Sequence, residues 1–331
     1  MFNHSIPKLN HAQIHALCQR GFGSGVNVKT IRELSSGTLN ETYLIKFPGR
    51  AKTILRVAPP HSPDLFWDDI ALMRREHAMR PFFAAIAPLM PKIILTDFTH
   101  QLIERDYIFQ TVLEGDRWSD IETDLTPEEN AELWRQCGVL LKKLHTTTGE
   151  WFGYPYPGFH NRWQDAILER FARISQSMEA QKLPNPDFEA ILKLVHAQSA
   201  LFDEIVLPRL LHGDLWTFNL LITRDERGPQ ITGVLDPDRA WWGDPQADWL
   251  MFLFAIRRET PGWQTRIAAF EEGYGPPDEA PTSPYASQFR QIIYKAMYIG
   301  LAALWSAKHK NEEDMARANE ELHQLAQMLA S

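Results

Sequence analysis

The sequence predicts an α+β protein in two parts: a small, mostly antiparallel five-stranded lobe with one inserted helix, then a larger, mainly helical lobe. Three observations carry this expectation. Short β-branched and aromatic runs crowd the first third of the chain, and a helical texture sets in near Glu114. Charge divides at the same place: residues 1–113 hold 13 Lys/Arg against 9 Asp/Glu, and residues 114–331 hold 21 against 33. Strands gathered before helices read as segregated layers of an α+β arrangement.

The expected strands are Val28–Leu34, Thr42–Phe47, Thr53–Val57, Lys92–Thr96 and Tyr107–Val112, separated by Gly, Ser, Asn or Pro turns. The charged amphipathic stretch Asp68–Phe83 reads as the inserted helix. In the second part, Thr126-Pro-Glu-Glu is a helix start: Thr126 as N-cap, Pro127 at the first position, Glu129 closing a capping box. Leu133, Cys137, Leu140, Leu141 and Leu144 follow at helical spacing. Further helices are expected over Arg162–Gln181, Asp187–Glu204, Asp248–Arg258, Trp263–Gly273 and Tyr285–Ala330, the last with a break.

Composition bounds the function. With 331 residues, 44% hydrophobic and 23% charged, the chain suits about two globular domains and excludes wholesale disorder. Lys and Arg number 34 against 42 Asp and Glu, so a nucleic-acid binder with a general basic surface is excluded. Cys18 and Cys137 cannot make a disulfide framework, and no CxxC or Cys/His cluster signals zinc. The N-terminal segment lacks the basic start and apolar core of a secretory signal. The apolar runs Trp249–Ile256 and Ala296–Trp305 are too short for a membrane span. The expectation is a soluble, cytoplasmic protein; oligomeric state is left open.

One stretch is dense in chemistry. Leu210-Leu211-His212-Gly213-Asp214-Leu215-Trp216-Thr217-Phe218-Asn219 precedes an apolar run, and Leu235-Asp236-Pro237-Asp238-Arg239 follows a turn at 223–228. Leu220–Ile222 and Ile231–Leu235 pair naturally as a hairpin, which sets Asn219 and Asp236 at corresponding strand ends. An Asp, an Asn five residues on and an Asp beyond a hairpin suit phosphoryl transfer. One carboxylate orients an acceptor hydroxyl, and two oxygen donors hold Mg²⁺. The plainer reading of any one of them is that a buried Asp or Asn ties down loop backbone. His212 stands beside them as a candidate general base.

HGDLWxxN followed by LDPDRAxWGDPxxDW resembles the aminoglycoside phosphotransferase family, whose relatives include fructosamine, choline and homoserine kinases. The likeness covers most of residues 30–256. It implies a protein-kinase-like bilobal fold, with residues 1–113 as nucleotide-binding lobe and 114–331 carrying the catalytic loop, metal site and acceptor site. It further implies Asp214 as the catalytic Asp and Asn219 and Asp236 as Mg²⁺ ligands. Pro237 follows Asp236 where protein kinases have an aromatic residue, which removes the means for a Phe-flip switch. By the same likeness His212 braces its loop, while Asp244 and Asp248 support it. The Ser36, Gly37 and Thr38 loop lies over the phosphates of ATP, Arg56 takes the place of the strand Lys, and Glu76 is its helix partner. Adenine meets backbone at Thr111, Val112 and Leu113. Gly138, Leu144 and His145 match a packing helix of the family.

Rival readings leave more unexplained. A glycosyltransferase would use Asp236-Pro237-Asp238 as a DxD motif but leaves HGDLWTFN and Arg56/Glu76 idle. A nucleotide-binding pseudoenzyme would not need Asp214, Asn219 and Asp236 together. His11 and His15 share a helix face, but the pattern lacks the Glu of a zincin. The acceptor is expected to be a small molecule, and the acidic second lobe favours a cationic one such as an aminoglycoside or amino alcohol. A glycated amine is the alternative. Asp165, Glu271, Glu272 and Asp278 are unranked acidic candidates, and the aromatic stretch Trp151–Trp163 is either acceptor wall or core.

Overall fold

The computed structural model describes residues 8–34, 39–60, 66–155, 158–249, 262–276 and 283–330. The chain folds as two compact units, Met1–Asp120 with Asn219–Arg239, and Ile121–Phe218 with Ala240–Ser331.

The first unit opens with helix α1 (His11–Phe22), started by a reciprocal Asn10–Gln13 capping box. Strands β1 (Thr30–Glu33), β2 (Glu41–Lys46), β3 (Thr53–Val57), β4 (Ile93–Asp97) and β5 (Tyr107–Thr111) form one antiparallel sheet in the order β1-β2-β3-β5-β4. All five lie within a residue or two of the expected runs. Ile14, Leu17 and Cys18 of α1 pack with Tyr43, Ile45, Leu55, Val57, Tyr107 and Phe109 to make the core of this unit.

The inserted helix is shorter than Asp68–Phe83. A 3-10 turn at Trp67–Asp69 precedes α2 (Leu72–Met79), and a 3-10 run continues through Arg80–Leu89. Pro81 lies at the start of that run, and Phe83 breaks helical geometry. After β5, β6 (Asp116–Arg117) leads into the single turn α3 (Trp118–Ile121), which carries the chain into the second unit.

In the second unit α4 (Pro127–His145) begins as the capping box requires, with Thr126 and Glu129 satisfying each other's backbone N–H. Strands β7 (Phe152–Gly153), β8 (Phe159–His160), β9 (Arg209–Leu211) and β12 (Trp241–Gly243) form a small sheet ordered β8-β7-β12-β9. Helices α5 (Trp163–Ala180) and α6 (Pro186–Ala197) come between, the latter ending earlier than expected in a 3-10 turn at Ser199–Phe202.

The hairpin β10 (Leu220–Asp225) and β11 (Gly228–Val234) returns to the first unit, where β10 also pairs with β6. That pairing is why residues 219–239 pack with the first 120 rather than with their chain neighbours. Its strands run further than expected because Asp225 folds back onto Arg227 to close a two-residue turn.

Residues 245–249 begin α7; the rest of the helix expected to Arg258 lies outside the described residues. Helices α8 (Trp263–Tyr274), α9 (Pro284–Lys308) and α10 (Glu312–Ala330) complete the unit, with the expected break at 309–311. α4 lies directly against α8. A Cβ at Gly138 would stand 2.2 Å from the Phe270 carbonyl, so the glycine permits backbone contact. No helix among the described residues is long and apolar enough to cross a membrane.

Candidate functional site

In the first unit, β3 carries Arg56 into the interior, where it is 4% exposed. Its Nη1 donates to Glu76 Oε2 at 2.6 Å and its Nη2 lies 2.8 Å from Asp236 Oδ1. Glu76, on α2, is buried and also faces Arg80 at 3.7 Å. The strand cation, helix carboxylate and proposed metal carboxylate are therefore one ion-paired group. Burial opposes the charge on Arg56, but Glu76, Asp236 and Asp238 outweigh it and hold the guanidinium above its ordinary range.

Asn219 and Asp236 sit at the same end of the β10/β11 hairpin, as its register requires: Leu220 pairs with Val234, and the Leu235 N–H donates to the Asn219 carbonyl at 2.9 Å. Asp236 adopts φ 53°, a left-handed conformation unusual for a side-chain-bearing residue. Its side chain remains 40% exposed, while Asp238 is buried. Burial first, and then the charge of Asp236, push Asp238 above the usual carboxylate range, with Arg239 and Arg56 opposing. Like carboxylates this close favour a cation among them.

An amide oxygen and a half-open carboxylate are hard donors suited to Mg²⁺. Among the described residues no three His, Cys, Asp or Glu side chains cluster as a metal cage. An amide and a carboxylate oxygen are donors of the kind that hold an ion whose remaining shell is phosphate and water.

Thr111 ends β5, and its N–H is donated to the Lys92 carbonyl at 2.9 Å. Of the three adenine candidates, that spends the Thr111 donor within the sheet edge; Val112 and Leu113 follow the strand as half-buried connector residues. Ser36, Gly37 and Thr38 lie outside the described residues, as does Asp278.

In the second unit, β9 delivers His212, Gly213 and Asp214. The His212 N–H donates to Asp248 Oδ2 at 2.7 Å and the Gly213 N–H to Asp248 Oδ1 at 2.8 Å. Gly213 has φ 77°, which a glycine adopts without strain, so Asp214 leaves the strand on a turn pinned at two amides. Asp248 is 1% exposed and also meets His145 Nε2 at 3.3 Å; His145 Nδ1 pairs with the Tyr274 hydroxyl at 2.8 Å. His145 is thus a structural histidine. Tyr298 is buried in this group: burial first, then the charge of Asp248, hold its phenol well above the ordinary range.

Asp248 supports the loop, but not as the helix opener its sequence position suggested. Pro245 sets the first turn of α7, so Asp244 takes the opening position and accepts the Gln246 N–H at 3.0 Å. Asp248 then falls inside the first turn, with its carboxylate free to reach outward to the loop amides. Asp244 binds elsewhere, accepting from the Tyr294 hydroxyl at 2.7 Å and facing Arg290 Nε at 3.3 Å. Burial pushes Asp244 upward, with Arg290 opposing.

Sequence reasoning did not single out Asp68, Asp69 or Arg239 for a role. Arg239 Nη1 meets Asp68 Oδ2 at 2.6 Å and its Nη2 meets Asp69 Oδ1 at 2.9 Å. Arg239 was visible inside LDPDRA, but its partners lie about 170 residues upstream in a segment without motif. Among the acceptor candidates Glu272 is engaged by Arg135 at 3.0 Å. Of the aromatic stretch, Trp163 and Phe152 are core, whereas Trp151 and Phe159 are exposed.

The fold and these groups define a phosphotransferase of the small-molecule kinase class. The family model described as the phosphotransferase enzyme family (APH) matches residues 30–285, and the chain belongs to that family. The chain is similar to a thermostable mutant of the aminoglycoside phosphotransferase APH(4)-Ia, solved as a ternary complex with AMP-PNP and hygromycin B: 18% identity, 95% of this chain and 98% of that chain, TM-score 0.64. A Ralstonia eutropha JMP134 protein described as an aminoglycoside phosphotransferase shares 14% identity over 97% of this chain and 98% of its own, TM-score 0.67. Aminoglycoside 2'-phosphotransferase-IIIa, solved with GDP, shares 14% identity over 96% and 99%, TM-score 0.63. These likenesses establish the protein-kinase-like fold. No curated protein matches the sequence.

Proposed function

We propose that the protein transfers the γ-phosphate of ATP to a hydroxyl of a small, cationic acceptor. The observation that carries the reading is Arg56, shared between Glu76 at 2.6 Å and Asp236 at 2.8 Å. A buried cation placed between a helix carboxylate and a half-open Asp is suited to exchange the Asp contact for phosphate oxygens when nucleotide arrives.

Asp214 orients the acceptor hydroxyl and takes its proton on a carboxylate oxygen late in transfer. Asp248 keeps the loop of Asp214 in place through the two amides. Asn219 and Asp236 hold Mg²⁺, which when bound offsets charge developing on the phosphoryl oxygens. Arg56 orients the nucleotide phosphates, and Glu76 keeps Arg56 from turning away. Nucleotide binding falls to the unit of residues 1–120 and 219–239, and acceptor binding to the other unit. The cationic acceptor is supported by charge: the first unit carries 17 basic and 16 acidic residues, the second 17 and 26.

The test is ATP consumption measured across aminoglycosides, choline, homoserine, glycated lysine and neutral sugars. Acceleration by an amine-bearing alcohol supports the reading. Acceleration by neutral sugars alone refutes the cationic acceptor, and none across the set favours a nucleotide-binding pseudoenzyme. Asp236→Ala is expected to remove the Mg²⁺ dependence of nucleotide affinity; an unchanged dependence counts against its role as ligand.

A further inference from the structure

Asp68 and Asp69 are adjacent, 2% and 6% exposed, and come before a helix that the usual devices do not anchor. The residue before α2, Ala71, has φ 57° and no side chain caps the helix. Two neighbouring carboxylates in a low-dielectric interior are costly unless cations meet them. Two arginines do so. Arg75 reaches back from α2 itself, lying 3.5 Å from Asp68 Oδ1 and donating to its carbonyl. Arg239 comes from the far side, spreading the two arms of one guanidinium over Asp68 and Asp69 at 2.6 and 2.9 Å.

Arg239 stands three residues after Asp236, and Glu76 stands on the helix that Asp68 and Asp69 precede. The contacts therefore close a ring. It runs from Asp236 along the turn to Arg239, across to Asp68 and Asp69, along α2 to Glu76, and through Arg56 back to Asp236. Asp236 is held at positive φ, a conformation that persists only where its surroundings fix it. A planar fork meeting two carboxylates fixes direction as well as distance, which a lysine cannot do.

We propose that Arg239 is a positioning residue: by clasping Asp68 and Asp69 it locks the turn bearing Asp236 to the start of α2. Asp236 and the Arg56–Glu76 pair are thereby presented to the metal–nucleotide as one rigid group. The inference rests on the reading of Asp236 as a metal ligand and goes beyond it, because Arg239 touches neither metal nor phosphate in this scheme.

The experiment compares the full-length protein with Arg239→Met, Arg239→Lys and Asp69→Asn. AMP-PNP binding is measured by calorimetry with Mg²⁺ and with EDTA, and backbone amide exchange is followed over residues 66–80 and 233–240. Arg239→Met is expected to weaken Mg²⁺-dependent binding by about tenfold or more while metal-free binding shifts by less than about threefold, as for a coupled buried pair. Arg239→Lys should recover part of the loss, and exchange should rise in both segments together. Arg239→Met that folds and binds Mg–nucleotide within about twofold of the parent, on the scale at which contacts in one network couple, overturns the proposal.

If Arg239→Met does not fold, Asp69→Asn carries the test, with a loss of about threefold expected on the same coupling scale and none overturning it. A parent protein without any Mg²⁺-dependent nucleotide binding would refute the phosphotransfer reading instead. The clasp is then judged by exchange alone, and unchanged exchange in either segment overturns it.

Discussion

In the first unit the buried carboxylates face arginines: Asp68 and Asp69 meet Arg239, Glu76 meets Arg56, and Asp106 meets Arg74. In the second unit Asp248, equally buried, faces two backbone amides and a histidine. The difference follows from what each group must do. An arginine on a long side chain can trade one anionic partner for another, so a carboxylate held that way can be released to a ligand. A carboxylate accepting main-chain N–H bonds has partners that cannot leave without unfolding the segment. Exchangeable pairing surrounds Asp236, where nucleotide and metal are proposed to bind. It also occurs elsewhere, at Asp106 with Arg74 in the first unit and at Asp244 with Arg290 in the second. Main-chain pairing holds Asp248 under the loop that must stay still.

Four substitutions would break or sharpen this comparison, beginning with the largest effect. Asp214→Asn should lower turnover by about 10³-fold or more, the scale of a lost catalytic base, yet leave Mg–AMP-PNP affinity nearly intact. Steady-state kinetics and calorimetry read the two together; full activity in the variant would remove Asp214 from the mechanism. Asp248→Ala strips the acceptors from two buried amides and should cost about 3–4 kcal/mol of stability in urea unfolding, at one to two kcal/mol per orphaned group plus the histidine contact. A loss below about 1 kcal/mol, the worth of one ordinary hydrogen bond, would show that the loop amides find other partners.

Arg56→Lys keeps the charge but loses the fork, so KM for ATP should rise about tenfold with kcat changed less, as fits a lost bidentate contact. Equal affinity in the variant would mean that a point charge suffices between Glu76 and Asp236.

Asp106→Asn is the mildest change and tests pairing away from the site. Burial pushes the Asp106 carboxyl upward, but the bonds from Arg74 and His100 outweigh it and hold its pKa below the ordinary 3.8. A depressed carboxylate contributes stability above its unfolded pKa and loses it as pH falls through the folded one. The variant should be less stable than the parent by about 1 kcal/mol at pH 7, and the gap should close below about pH 4. A gap that persists undiminished at pH 3 would assign the loss to packing instead.

Much of this protein was legible from local pattern. The five strands of the first unit, the Thr126 capping box and the β10/β11 hairpin emerged from β-branched runs, turn residues and helical spacing. Each depends on residues a few positions apart. The placement of Asn219 and Asp236 at one end of the hairpin was legible for the same reason, since an apolar hairpin fixes the spacing of its flanking polar groups. The stretch Asp68–Phe83, which reads as one helix, matches the structure less well. A proline near the start of the second 3-10 run, the kink at Phe83 and the left-handed Ala71 divide it, and amphipathic spacing does not register such breaks.

The sequence by itself determined the element types, the two-part organisation and the residue kinds that a phosphotransferase needs. Only the tertiary structure decided who holds them: Asp248 reaches His212 and Gly213 across about 35 positions, and Arg239 reaches Asp68 across 171. Hydrophobic periodicity is written every two to four residues and can be read along the chain. The partner of a buried charge is chosen by whichever distant side chain packing brings within hydrogen-bond reach, and no local pattern records that choice.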